Sequence, residues 1–221
     1  MSQPFGHSLL SLKVQVPFWI CTLIWGTTWF VIRGQLGIVP PSWSVTYRFG
    51  VSALAMFAYA WLKGERLTLD RRQHRFVLLF GVAQFVFNFN FVYRAEAYIT
   101  SGLVAILFAL LIIPNTLLAR FFLGLRATKQ FYLGSSVAIA GIVLLFINEY
   151  RQGGGSDAVL LGIGLTLLAV LSASIANILQ ATPRAHEMPM ATMLAWGMTW
   201  GTLANALWAW HWCVEPGRRH L

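Results

Sequence analysis

The chain alternates between long apolar stretches and short polar segments. Seven stretches of 18 to 27 residues lie between the charged positions, and only one fully charged residue falls inside them. A helix needs about 20 apolar residues to cross a bilayer, whereas a transmembrane β-strand alternates polar and apolar residues over about 10. The stretches do not alternate. The pattern therefore predicts an all-α integral membrane protein, a multi-span helical bundle with spans near 14–32, 41–62, 76–93, 97–119, 130–148, 158–183 and 188–214.

One connection between spans differs from the others in composition. Residues 151–157 read Arg-Gln-Gly-Gly-Gly-Ser-Asp, and glycine-rich chain is flexible. We therefore expect a boundary between a unit of five spans over 1–150 and a second unit over 158–221. The first span is longer than the apolar core of a signal peptide, and no Ala-x-Ala-like site follows it. We expect this span to be retained.

Composition and charge exclude several classes of protein. Hydrophobic residues make up 57% of the chain and charged residues 10%, against about 25% charged in soluble domains. This excludes a soluble enzyme or a disordered chain. The net charge of +9 comes from having only 7 acids beside 16 bases, so we expect no nucleic-acid partner. Ten basic residues fall in segments on the same side of the predicted membrane as the N-terminus, and five fall on the opposite side. The positive-inside rule then predicts a cytoplasmic N-terminus.

The sequence lacks the short motifs of cofactor and metal chemistry. It has no G-x-G-x-x-G, no phosphate-binding loop, no C-x-x-C and no H-E-x-x-H. Its two cysteines, Cys21 and Cys213, cannot form a disulfide framework or a four-ligand zinc site. We therefore expect no enzyme and no cofactor. A membrane-embedded enzyme, the competing hypothesis, would need a paired His–Asp or Cys–His arrangement near a span end, and the sequence offers none.

Arg48 is the charged residue inside a span. A charge at the centre of a span costs about 2.5–3.5 kcal/mol on insertion scales. Arg48 lies seven residues into its span, about 10 Å deep at 1.5 Å per residue. Two interpretations stay open. The guanidinium can snorkel to the interface beside Trp43 and Tyr47, or it can face a polar cavity and attract an anionic group such as a carboxylate.

Amides and tryptophans inside the spans are the other candidate cavity residues. Amides on a transmembrane helix either bond to a neighbouring helix or line a wet cavity, and tryptophans beside glycines either wall a cavity or belong to packing and interface belts. Both interpretations stay open. The candidates are Trp25, Trp29, Gln84, Asn88, Asn177 and Trp196, and the four-residue spacing of Gln84 and Asn88 predicts a shared helical face.

Small residues and one proline suggest how the helices pack. Gly197-x-x-x-Gly201 and the stripe Gly134, Ala138, Gly141 predict close contact between helices. Pro114 falls in the middle of the fourth span and predicts a kinked or broken helix.

Several of these segments resemble the drug/metabolite transporter superfamily, specifically EamA-type permeases. The resemblance covers about 15–212 and rests on Ile24-Trp-Gly-Thr-Thr-Trp-Phe30, Pro40-Pro41, Tyr47-Arg-Phe-Gly50, the run from Ala97 to Ala105, Pro114, and the run from Gly134 to Leu145. It implies ten helices in two inverted five-helix repeats, with the solute path between the repeats. It also implies export or exchange of small metabolites, such as amino acids, across a bacterial inner membrane, without a cofactor.

Two departures from this family pattern shape the alternatives. Leu125 stands where family members usually carry a glutamate, and we count five spans plus two rather than five plus five. The alternative to a complete permease is a truncated, non-transporting protein or a half that needs a partner. We expect a small-molecule solute and the lipid bilayer as partners. A homodimer would be one way to cover the polar faces of spans 3 and 6.

Overall fold

The structure, a computed structural model, describes residues 11–35, 39–152 and 157–214. This part of the chain forms α1 (Leu12–Gln35), α2 (Pro41–Leu62), α3 (Arg71–Gly81), a π-helical segment (Val82–Asn88), α4 (Phe89–Ala95), α5 (Ser101–Ala109), α6 (Ile112–Leu123), α7 (Lys129–Gln152), α8 (Asp157–Gln180), a 3₁₀ turn (Ala185–Glu187) and α9 (Met190–Val214). Residues 153–156 of the glycine-rich connection lie outside the described residues.

The prediction of an all-α, multi-span membrane protein is confirmed. Five helical stretches are long and apolar enough to cross a membrane: Leu12–Gln35, Arg71–Ala95, Ser101–Leu123, Lys129–Asn148 and Asp157–Gln180. The predicted spans α2 and α9 do not reach the same hydropathy over their described residues. These two helices pack more extensively on each other than any other pair, and their polar residues include several that are buried inside the bundle.

Local sequence explains where several helices begin and end. Asp70 caps α3 because its carboxylate accepts from the backbone N–H groups of Arg72 and Gln73, both at 2.8 Å, while the Gln73 side chain accepts from the Asp70 N–H. These hydrogen bonds, the one from Gln73 first, hold the pKa of Asp70 below its ordinary value. Gly124 ends α6 at φ +68°, a left-handed conformation that glycine adopts without strain.

The fourth predicted span is broken, as Pro114 led us to expect. α5 ends at Ala109 and α6 begins at Ile112, and Pro114 lies in the first turn of α6. A proline has no N–H for the carbonyl four residues before it. That carbonyl, on Leu110, accepts from the Ile113 N–H at 2.9 Å instead, so the break leaves it paired.

Glycines bring α3 and α9 into close contact. A Cβ on Gly81 would collide with the Gly197 backbone, and one on Gly201 would lie 2.6 Å from the Phe85 Cβ. The expected packing of the Gly197–Gly201 stripe is confirmed. For contacts among the described residues the same expectation for α7 is wrong, because a Cβ on Gly134 or Gly141 would meet nothing within 4 Å. That stripe is exposed, and the α7 residues packed against the core include Ile142, Leu145 and Phe146 instead.

The π-helical segment is fixed by side chains from two other helices. Ser172 of α8 donates to the Ala83 carbonyl at 2.8 Å, and Asn205 of α9 donates to the Phe85 carbonyl at 2.9 Å. A π-helical turn disturbs the regular backbone ladder and is frequent at functional sites. Gln84 and Asn88 both lie inside this π segment and not in the α-helix that we expected, although residues four apart still point in similar directions in a π turn.

Candidate functional site

A cleft of about 450 Å³ lies between α1 and α2. The residues of α1 that face it follow the i, i+3, i+4, i+7, i+11 spacing of one side of a helix. Apolar side chains, hydroxyls, one amide and one guanidinium share the lining, which consists of Ile24, Thr27, Thr28, Val31, Gln35, Val39, Ser44, Tyr47 and Arg48. A cleft of this volume and mixed character suits a small amphipathic molecule.

Arg48 lies at this cleft and is turned towards the rest of the bundle. Its guanidinium carbon is 5.1 Å from the ring centroid of Phe89 on α4 and 5.9 Å from that of Phe49. The side chain is half-buried, and no carboxylate of the described residues forms an ion pair with it. Contact with two aromatic faces stabilises a cation without neutralising it. The charge therefore stays available to a group that enters the cleft.

Two hydroxyls of the cleft, those of Thr27 and Thr28, already donate their protons to backbone carbonyls. Thr27 donates to the Leu23 carbonyl at 2.8 Å, and Thr28 donates to the Ile24 carbonyl at 2.7 Å. Each oxygen keeps lone pairs, so towards a ligand both hydroxyls act as acceptors. At the end of the cleft, Gln35 accepts from the Tyr93 hydroxyl at 2.8 Å, which joins α1 to α4.

A second cavity, of about 360 Å³, lies between α6 and α8. Asn177 lines it and donates to the Asn115 side chain at 3.4 Å, with Arg126 at the rim. Leu125, at the position where the resemblance described above leads us to expect a glutamate, also lines this cavity and is 60% exposed. Asn177 and Arg48 are thus in different cavities.

The remaining predicted site residues lie outside both linings. Trp25 is 62% exposed, and Trp29 packs against Phe108 at 5.4 Å between ring centroids. Trp196 donates to the Leu67 carbonyl at 2.8 Å. None of the three tryptophans lines the cleft: Trp25 and Trp29 lie on other faces of α1, and Trp196 belongs to α9, which contributes no residue to the lining.

Gln84 and Asn88 are oriented into the bundle. Asn88 is buried and Gln84 half-buried, and the side-chain carbonyl oxygen of each is buried without a hydrogen-bond partner in the described part of the chain. Burying an oxygen without a hydrogen-bond partner costs free energy. These two positions therefore suit a bound water or a polar ligand group that donates a hydrogen bond to them.

A buried amide network, formed by Ser42, Asn90 and Asn205, was not predicted as a unit. Ser42 donates to the Asn90 carbonyl oxygen at 2.8 Å, and the Asn90 amide donates to the Asn205 carbonyl oxygen at 2.6 Å. The network therefore ties α2, α4 and α9 together. Sequence spacing could not reveal it, because its members are up to 163 positions apart and α9 reads as a tryptophan-rich apolar span.

Comparison with known proteins identifies the family. The sequence profile described as the EamA-like transporter family matches residues 17–147, more than half of the chain. The chain belongs to the EamA family. The match takes in most of α1, all of α2 to α6 and most of α7, including the cleft and Arg48. No solved structure matches the chain.

Named relatives are similar over different parts of the chain. Protein PagO of Salmonella typhimurium is 27% identical over 138 residues, or 62% of this chain and 45% of that protein. The uncharacterized inner membrane transporter YedA of Escherichia coli K12 is 27% identical over 142 residues, 64% of this chain and 46% of YedA. The uncharacterized transporter YoaV of Bacillus subtilis is 21% identical over 192 residues, 87% of this chain and 65% of YoaV. The chain thus spans about half the length of the first relatives it matches.

Proposed function

We propose that this protein forms part or all of a permease that moves a small solute across a bacterial inner membrane. Membership of the EamA-like transporter family, relatives named as transporters, one of them an inner membrane transporter, and five apolar helices support this proposal. With the positive excess on the N-terminal side of the membrane, the N-terminus is cytoplasmic.

The cleft between α1 and α2 is the proposed solute site, and the unneutralised guanidinium of Arg48 carries this assignment. A carboxylate at that guanidinium forms charge-assisted hydrogen bonds, which contribute about 1.5–3 kcal/mol each. The same bonds in bulk water would contribute far less, because water competes for both partners.

The acceptors in the cleft narrow the class of solute. Thr27 and Thr28 offer oxygen lone pairs but no protons, so they suit a donor such as an ammonium group. Ile24, Val31 and Tyr47 provide apolar and aromatic surface. A carboxylate, an ammonium group and an apolar side chain together describe an amino acid, and we propose this class as the solute.

Binding to purified protein tests the assignment directly. We measure the saturable binding of a panel of L-amino acids to the wild-type protein in lipid nanodiscs and to the variants Arg48→Ala and Arg48→Lys. Arg151→Ala, at the exposed end of α7, is the matched control. We expect Arg48→Ala to weaken binding about 10–100-fold, the equivalent of about 1.4–2.8 kcal/mol, and Arg48→Lys to weaken it less.

The control and a second variant separate binding from misfolding. Arg151→Ala should bind amino acids as the wild type does. Thr28→Val should weaken the binding of amino acids more than it weakens the binding of the matching carboxylic acids, which lack the ammonium group. If Arg48→Ala binds every tested amino acid with wild-type affinity, the cleft is not the solute site.

A further inference from the structure

Glu96 is a buried carboxyl group that the sequence places outside the spans. It directly follows α4 and is only 3% exposed, between the buried residues Ala95 and Ile99. From the sequence, all seven acids lie outside the apolar stretches, which argued against a buried carboxylate that binds protons. The structure shows that a position between two spans can still be enclosed by the bundle.

The hydrogen bonding of Glu96 is incomplete for an ionised group. Ser101 donates to Oε2 at 2.6 Å, and Oε1 is buried without a partner among the described residues. A buried carboxylate usually needs several donors to offset its loss of hydration. With Ser101 as its single hydrogen-bond donor, the buried carboxyl group favours the neutral over the ionised form more than the same group does in water.

One cation opposes this effect from the neighbouring helix. Arg33 in the last turn of α1 attracts the ionised carboxylate, and the Ser101 hydrogen bond also favours ionisation. Burial is the largest influence, and it raises the pKa of Glu96 above its ordinary value. Other titratable or charged groups on the elements at this end include Arg48, Tyr93, Arg94, Tyr98, Arg151 and Asp157. The Arg94 guanidinium lies 5.4 Å from the ring centroid of Trp208.

We propose that Glu96 is a proton-binding site at the junction of α4 and α5, one helical turn beyond Tyr93, whose hydroxyl bonds to Gln35 of α1. On protonation the carboxyl becomes neutral, and on ionisation the proton returns to water. Among the described residues of α1 only Ile32 is buried, and the helix packs chiefly on α5, so the hydrogen bond from Tyr93 is one of the few polar contacts that hold its end.

The site is coupled to the cleft through α4, and this coupling rests on the proposed function. Tyr93 lies one helical turn before Glu96 and donates to Gln35, which lines the cleft. A change of charge at Glu96 would therefore act on the end of the cleft where Gln35 meets Tyr93. Solute affinity should then depend on the protonation state of Glu96.

Infrared spectroscopy tests proton binding without reference to transport. The carbonyl stretch of a protonated carboxylic acid is followed against pH in the wild type and in Glu96→Gln, with Asp157→Asn as the control because Asp157 is exposed. We expect the wild type to show one band that titrates above the range of exposed carboxyls. This band should be missing from Glu96→Gln and present in Asp157→Asn.

Two further variants test the local chemistry. Ser101→Ala removes the hydrogen bond to the ionised form and should raise the titration midpoint by about 1 pH unit or more. Arg33→Gln should raise it by a smaller amount, since Arg33 is exposed, and Arg151→Gln should leave it unchanged. The proposal is overturned if no titrating band depends on Glu96, or if neither Ser101→Ala nor Arg33→Gln moves the midpoint.

Failure of this site and failure of the solute site give different results. If the cleft binds no solute, the infrared titration is unaffected and only the coupling is lost. If Glu96 binds no proton, the effect of Arg48→Ala on solute binding persists at every pH.

Discussion

Removing the Asn205 amide should weaken the attachment of α9 to the π-helical segment. Asn205 makes two hydrogen bonds to other helices, to the Phe85 carbonyl at 2.9 Å and from the Asn90 amide at 2.6 Å, and one to the Gly201 carbonyl of its own helix. Hydrogen bonds between transmembrane helices average about 0.6 kcal/mol and reach about 1.7. Loss of two therefore predicts that Asn205→Ala lowers the free energy of unfolding by about 1–3 kcal/mol.

Titration of the detergent-solubilised protein with sodium dodecyl sulfate, followed by circular dichroism, measures this free energy. Thr199→Ala is the matched control on the same helix, because the Thr199 hydroxyl bonds only to the Ala195 carbonyl of its own helix. Its effect should be within about 0.5 kcal/mol of zero.

A double-mutant cycle tests whether the network acts as a unit. Asn90→Ala and Asn205→Ala each break the bond between the two side chains, so the double variant should lose less stability than the sum of the single variants, by about 0.5–1.5 kcal/mol. The reasoning is refuted if Asn205→Ala is as stable as Thr199→Ala, or if the two amide substitutions are additive.

Three other predictions concern packing, capping and orientation. Gly81→Ala should lower the free energy of unfolding by about 1–3 kcal/mol, because the new Cβ collides with the backbone of α9. Gly134→Ala should leave this free energy unchanged, because its Cβ meets nothing within 4 Å. Unfolding titrations of the two variants measure the difference. Asp70→Ala should destabilise the protein at neutral pH, and the difference should fade only as acid titrates Asp70 through its lowered pKa, as stability measured against pH will show. A reporter fused within 63–70 should give a cytoplasmic signal; a periplasmic signal would reverse the topology.

The fold class could be read from the sequence because the membrane imposes a simple rule on it. Backbone groups in lipid must be paired within the segment, so length and hydropathy alone predict helices. The same rule made Arg48 conspicuous, since a charge inside an apolar stretch needs a reason. The helix break near Pro114 was also predictable, from the chemistry of one residue.

The details of the site depended on distances that no local pattern encodes. Asn205 is one polar residue in an apolar, tryptophan-rich stretch, and its importance comes from a carbonyl 120 positions away. Glu96 lies in a short connection, and its burial depends on how α4 and α5 fold against the bundle. The π-helical segment has no signature in hydrophobic periodicity, so Gln84 and Asn88 were assigned to a regular α-helix, although both face the bundle as their spacing suggested.

The π-helical segment also decides which changes of length the helix from 71 to 95 tolerates. A π turn holds one residue more than an α turn would, and each residue of an α-helix turns the chain by about 100°. Deleting a single residue within 82–88 would let the stretch relax into a regular helix, and the residues beyond it would keep nearly their present facing because the π turn had absorbed the extra residue. Asn90 would then stay opposite Asn205, and Tyr93 opposite Gln35. Deleting a residue from the α-helical part just before Tyr93 would instead rotate Tyr93 by about 100° and take its hydroxyl away from Gln35. The same change of length would therefore be absorbed at one position and be disruptive one turn further along.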